Sequence, residues 1–159
     1  MSPTPRYVIT GLPLAAFQPL FGLSDADLSE RHIVRMPVTA KPGFPCRITL
    51  ADAEPGETVL LLNHEHQDAE TPYRSSHAIF VRESAAQTAE VRNAIPECLA
   101  TRLLSVRAFD AAGMMVDADV VDGADLEPLI ARMFADQAVA YLHAHNARRG
   151  CFAARVDRG

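Results

Sequence analysis

The chain has 159 residues, 48% of them hydrophobic and 22% charged, which suits a globular domain with its own core over residues 1–159 and excludes a disordered chain. A formal charge of −5 argues against a nucleic-acid binder, and the longest aliphatic run, "VLLL" at 59–62, is far too short to span a bilayer. Three separated cysteines, Cys46, Cys98 and Cys151, with no secretory leader and no CxxC, predict reduced thiols in a cytoplasm.

Prolines and glycines crowd the first third, in "SPTP", "GLPL", "MPV" and "KPGFP", and predict short extended pieces joined by turns. "RYVITGL" is an opening strand. Ser24 and Asp27 in "LSDADLSERH" have the spacing of a helix cap. "HIVRMPVT" at 32–39 is a strand that Pro37 moves to a sheet edge. "CRITL" alternates, with Cys46, Ile48 and Leu50 on one face and Arg47 and Thr49 on the other. "TVLLLNHE" is a more buried strand, "HQDAETPYRSS" a loop and "HAIFVRE" the next strand. "SAAQTAEVRNAIPECLA" is expected to be helical in part, interrupted at Pro96.

The second half patterns more sharply. "TRLLSVRAF" and "MMVDADVVD" flank "DAAG" as an antiparallel hairpin. "ADLEPLIARMFAD" sets Leu126, Leu129, Ile130, Met133 and Phe134 at helical spacing, with Asp125 as N-cap and Pro128 in the first turn. "AVAYLHAH" and "GCFAARV" are strands joined by "NARRG". The expected fold class is α+β: a mixed, mainly antiparallel sheet, one well-defined amphipathic helix at about 125–136 and one or two short helices.

"CRITL", "PGETVLLL", "TPYRSSHAIFVRE", "SVRAFDAAGMMVDADVV" and "YLHAHNARRGCFAARVDR" occur in this order between about Phe44 and Arg158. Together they resemble the bacterial family grouped as domain of unknown function 1203. The resemblance implies a single-domain bacterial protein. It implies no activity, cofactor or catalytic residue.

Three constellations are candidates for chemistry. The first is the pair of HxH motifs, His64 with His66 and His143 with His145. A spacing of two on a strand puts both imidazoles on one face, where they can share a divalent metal if a third ligand joins. "HEHQDAE" also has the HxHxxxE spacing of the cupin motif, but the flanking glycines are missing and the match is read as coincidence. The second is Cys151 as nucleophile with His143 or His145 as base; in a hairpin, Tyr141, His143, Cys151 and Arg155 are expected on one side of the sheet. The third is an anion site built from Arg74, Arg107, Arg148, Arg149 and Arg155, with Tyr73, Ser75, Ser76 and His77 beside Arg74. Asp117 or Asp119 on the neighbouring strand could partner Arg107 instead. No P-loop, GxGxxG or GxSxG motif is present, so no nucleotide is indicated.

The expected site is a polar pocket joining His143, Asn146 and Cys151 of the closing hairpin to Tyr73, Arg74 and His77. Arg107 and Arg155 would complete the ligand contacts. The function this predicts is binding of, or action on, an anionic small molecule. The alternatives are a metal site on His64, His66, His143 and His145, and a non-enzymatic module that dimerises through a strand edge.

Overall fold

The computed structural model describes residues 6–159, so the proline-containing "SPTP" stretch lies outside the described residues. In chain order come β1 (Tyr7–Thr10), α1 (Leu14–Phe17), a 3-10 turn at Gln18–Leu20, α2 (Asp25–Glu30), β2 (Val34–Pro37), β3 (Thr58–Gln67), β4 (Ser75–Arg82) and β5 (Glu90–Arg92). Then follow α3 (Glu97–Ala100), β6 (Leu103–Phe109), β7 (Met115–Asp122), a 3-10 turn at Gly123–Asp125, α4 (Leu126–Phe134), β8 (Tyr141–Asn146) and β9 (Phe152–Arg158).

The strands form two sheets, a large one ordered β5-β1-β9-β8-β6-β7 and a small one ordered β2-β3-β4. Every paired strand is antiparallel; the isolated bridge Cys46–Phe80 is parallel. The α+β class therefore holds, and both predicted hairpins form, β6 with β7 and β8 with β9.

The helical spacing of α4 produces one buried stripe: Leu126, Leu129, Ile130, Met133 and Phe134. It packs on Leu104, Val106, Ala108, Leu142, Ala144 and Val156 of the large sheet. Burying side chains of this size contributes about 1.5–3 kcal/mol each. Asp125 makes no side-chain cap; the preceding 3-10 turn leads the chain into the helix instead. Arg132, on the exposed side of α4, takes both Asp117 and Asp119, at 3.4 and 2.8 Å.

A second core covers the small sheet. Leu60, Leu62, Ile79 and Val81 pack beneath Phe17 of α1 and Leu28 of α2. The Ser24 hydroxyl accepts from the Asp27 N–H at 3.1 Å, as the cap spacing predicts. Pro37 lies in edge strand β2.

Three segments depart from expectation. "CRITL" folds as bridges and turns, with Leu50 at φ 55°, and Arg47 is 3% exposed. "SAAQTAEVRNAIPECLA" supplies short β5 and a single turn of helix after Pro96. Residues 14–20 are helical without an extended pattern to announce it.

Gly11 holds the turn at Arg47 to the large sheet. Its N–H donates to Ala89 O, and Leu12 N–H donates to Arg47 O at 2.8 Å. A Cβ at Gly11 would stand 2.0 Å from Ile48 O. Gly11→Ala must push backbone apart and should lower the unfolding free energy by about 1–3 kcal/mol in urea denaturation; an unchanged midpoint would show that the turn is not tightly held.

Candidate functional site

Strand pleating aims the histidines. Leu60, Leu62, His64 and His66 follow one another at every second position of β3, so the apolar face of the small sheet continues as an imidazole face. His77 extends the same pattern on β4 from Ile79 and Val81. Across the gap, β8 sends Leu142 and Ala144 into the α4 core, and turns Tyr141, His143 and His145 the other way. The two polar faces meet. Five of the six histidines of the chain thus gather between the sheets, with Phe152 among them.

His66, His77 and His145 form the centre. One ring nitrogen from each lies within 4.8 Å of the others. The His66 and His77 rings stack with Nε2 and Nδ1 at 3.0 Å, a distance at which one proton is shared. His145 stands edge-on to both, with ring centroids at 4.8 Å from His66 and 5.7 Å from His77. Its Nδ1 is 3.0 Å from Gly150 O; donation to that carbonyl makes Nε2 the lone-pair nitrogen. Nε2 is buried and has no hydrogen-bond partner, so its lone pair is free to coordinate. A β-bulge between Glu65 and Gln67 breaks the ladder beside His66, and Ser75 Oγ lies 3.3 Å from its Nε2.

Burial keeps His66 and His145 neutral. It pushes His145 down to about 3, the Gly150 bond opposing, and pushes His66 down to about 4, with His77 adding to the fall. His143 is also pushed down to about 3, by burial and then by His145. Arg107, whose Cα pairs with His143, adds a positive charge that opposes protonation of His66 and His145. Burial lowers its guanidinium as well, and among the described residues it makes no ion pair or hydrogen bond. The aspartates expected to neutralise it belong to Arg132.

A family model described as "Protein of unknown function (DUF1203)" matches residues 43–158. The chain belongs to the DUF1203 family. No curated protein and no solved structure matches it. The DUF1203 region contains all five clustered histidines, together with Arg107 and Phe152.

The structure divides the pocket expected from the sequence. Of the two HxH pairs, each gives one histidine to the cluster, and His77 is the third member. His64 lies at the margin of the group, outside its three-histidine centre and between Phe17 and Phe152, with centroids at 5.9 and 6.2 Å. His143 is enclosed by Phe109, Tyr141 and Phe152, all within 5.3 Å by centroid, and its Nδ1 has no partner. Arg74 is engaged by Glu65 at 3.1 Å on the surface. Tyr73 stands 6.4 Å from Phe109 by centroid. Arg155 pairs with Asp157 at 3.0 Å and covers the Tyr141 ring at 4.2 Å. Asn146 and Cys151 line a different cavity, with Arg47.

One register shift accounts for the last separation. Strict alternation puts Cys151 on the histidine side and Phe152 on the core side. A bulge between Ala144 and His145 instead pairs His145 with Phe152, so Phe152 joins the imidazoles and Cys151 leaves them. Gln67, whose Nε2 donates to Tyr141 Oη at 3.0 Å across the sheets, also carries no signal in the sequence.

The depressed histidines set a pH dependence. Their folded values lie below about 6.5, the unfolded value, so below that pH the unfolded chain binds more protons. Stability is fully present above pH ~6.5 and falls as the pH drops towards their folded values. Urea unfolding of metal-free protein from pH ~7 to ~5, above the ordinary carboxylate range, should show this loss. His143→Phe should lessen it without loss of stability at pH ~7, because it removes an unpaired buried nitrogen. A flat profile, or one that rises towards acid, would contradict neutral burial.

Proposed function

We propose that this protein binds a single divalent transition-metal ion through His66, His77 and His145, and presents it to an anionic small molecule. The observation that carries this reading is the buried Nε2 of His145, unpartnered and with its tautomer fixed from behind by Gly150 O, facing two further imidazoles. An all-imidazole set suits zinc, nickel, copper or iron(II), and does not suit magnesium or calcium, which favour oxygen. Metal–nitrogen bonds of about 2.0–2.1 Å require the three rings to draw together around the ion, which takes the place of the proton between His66 and His77. Three protein ligands leave a coordination position open.

The charge balance supports an anion at that position. Three neutral imidazoles cancel none of the metal's charge, and Arg107 adds a further cation nearby. Carboxylates are absent from the three-histidine group among the described residues. Three free cysteines support a reducing, cytoplasmic compartment. No helix of the described residues is long and apolar enough to cross a membrane.

The test uses protein purified without a histidine tag, stripped with chelator and titrated with zinc by calorimetry. A single equivalent should bind. His66→Gln, His77→Gln and His145→Gln should each weaken binding by at least the roughly 10–100-fold that loss of an outer-shell partner costs, with His64→Gln binding as wild type. Less than about a tenth of an equivalent, or three variants that bind as wild type, would remove the proposal.

A further inference from the structure

A second cavity, of about 840 Å³, touches none of the histidines. Phe44, Pro45 and Arg47 form one wall, and Met36 and Phe80 of the small sheet add apolar surface. The 100–103 and 122–125 segments and the β8–β9 turn complete it. Four arginines line it, Arg47, Arg102, Arg148 and Arg149, against two aspartates, Asp122 and Asp125.

Arg47 is the unusual member. It is 3% exposed, and its guanidinium donates to Phe152 O at 2.8 Å, to Pro45 O at 2.7 Å and to Cys151 Sγ at 3.1 Å. Those acceptors satisfy hydrogen bonds without supplying a negative charge. Among the described residues no carboxylate pairs with it, and a buried charge left uncompensated is costly. Arg102 differs, since its charge is matched by buried Asp52 at 2.6 Å. Arg148 and Arg149 are exposed and make no ion pair among the described residues. Cys151 Sγ also lies 3.6 Å from the Asn146 amide nitrogen, while Asn146 Oδ1 is buried without a partner. Cys46 and Cys98 are buried; Cys151 is the accessible thiol.

We propose that this cavity is a binding site for a small molecule with an oxyanion head, carboxylate or phosphate, and an apolar body. Arg47 supplies the compensating charge at the floor and Arg148 and Arg149 at the rim. Phe44, Met36 and Phe80 receive the body. Cys151 stands beside the head group and reports its presence. The site shares no lining residue with the histidine cluster, so either proposal can fail without the other.

The experiment reads alkylation of Cys151 by mass spectrometry on the folded full chain. Iodoacetate and iodoacetamide carry out the same displacement: sulfur bonds to the methylene carbon, iodide leaves and the thiol proton passes to solvent. Only iodoacetate is anionic. The ratio of its rate to that of iodoacetamide should fall about fivefold or more in the Arg148→Glu/Arg149→Glu double variant, which alters exposed side chains and leaves the fold intact. Inorganic phosphate or citrate at ~10 mM should slow the neutral reagent in wild type, and the more protective of the two identifies the head group. An unchanged ratio in the double variant, or no protection by either anion, would overturn the proposal.

Discussion

Both candidate sites depend on how Phe152 is held. Its carbonyl accepts from the buried Arg47 guanidinium, which binds the start of β9 to the turn at Pro45. Its ring lies parallel to that of His66, 5.3 Å away by centroid, and edge-on to His145. The bulge opposite Ala144 and His145 is what lets one residue do both. Without it, β9 would keep strict alternation, and the histidine face would receive a thiol in place of a phenyl ring. A backbone irregularity of one residue therefore separates an imidazole centre from an arginine-and-cysteine cavity.

The meeting of the two sheets is costly in a way that ordinary cores are not. Apolar faces are complementary by default, and here they are spent elsewhere: the large sheet on α4 and the small sheet on α1 and α2. What remains between the sheets is imidazole, phenol and guanidinium, with the phenyl rings of Phe109 and Phe152 among them. Unpaired nitrogens persist on His66, His143 and His145. Each costs roughly 1–3 kcal/mol when buried without a partner. Aromatic packing around Phe109, Tyr141 and Phe152 offsets part of this, at about 0.5–1.5 kcal/mol per well-placed pair. A metal ion would convert one of those orphaned nitrogens, Nε2 of His145, from a cost into a bond.

The fold was largely legible because periodicity reports burial directly. The stripe in α4 and the two hairpins were plain from spacing. The turn containing Arg47 was not, since "CRITL" alternates like a strand and only tertiary bonds to Phe152 and Ala51 fold it otherwise. For the site, spacing identified that His64 and His66, or His143 and His145, share a face, and it could go no further. Which member of each pair meets the other sheet depends on inter-sheet docking. His77 is a lone histidine in its strand and was grouped with Arg74, which Glu65 takes instead. Arg107 is half-buried, but its expected aspartate partners are drawn to α4 by a helix residue that periodicity places on the exposed face.

The central claim is that three imidazoles from β3, β4 and β8 hold one metal ion. X-ray absorption of the zinc-loaded protein, isolated without an affinity tag, measures that inner shell directly. The account predicts nitrogen at about 2.0–2.1 Å with the outer-shell scattering of three imidazole rings, reduced by one ring in His77→Gln. A shell containing sulfur at about 2.3 Å, or only oxygen scatterers unaffected by that substitution, would contradict it.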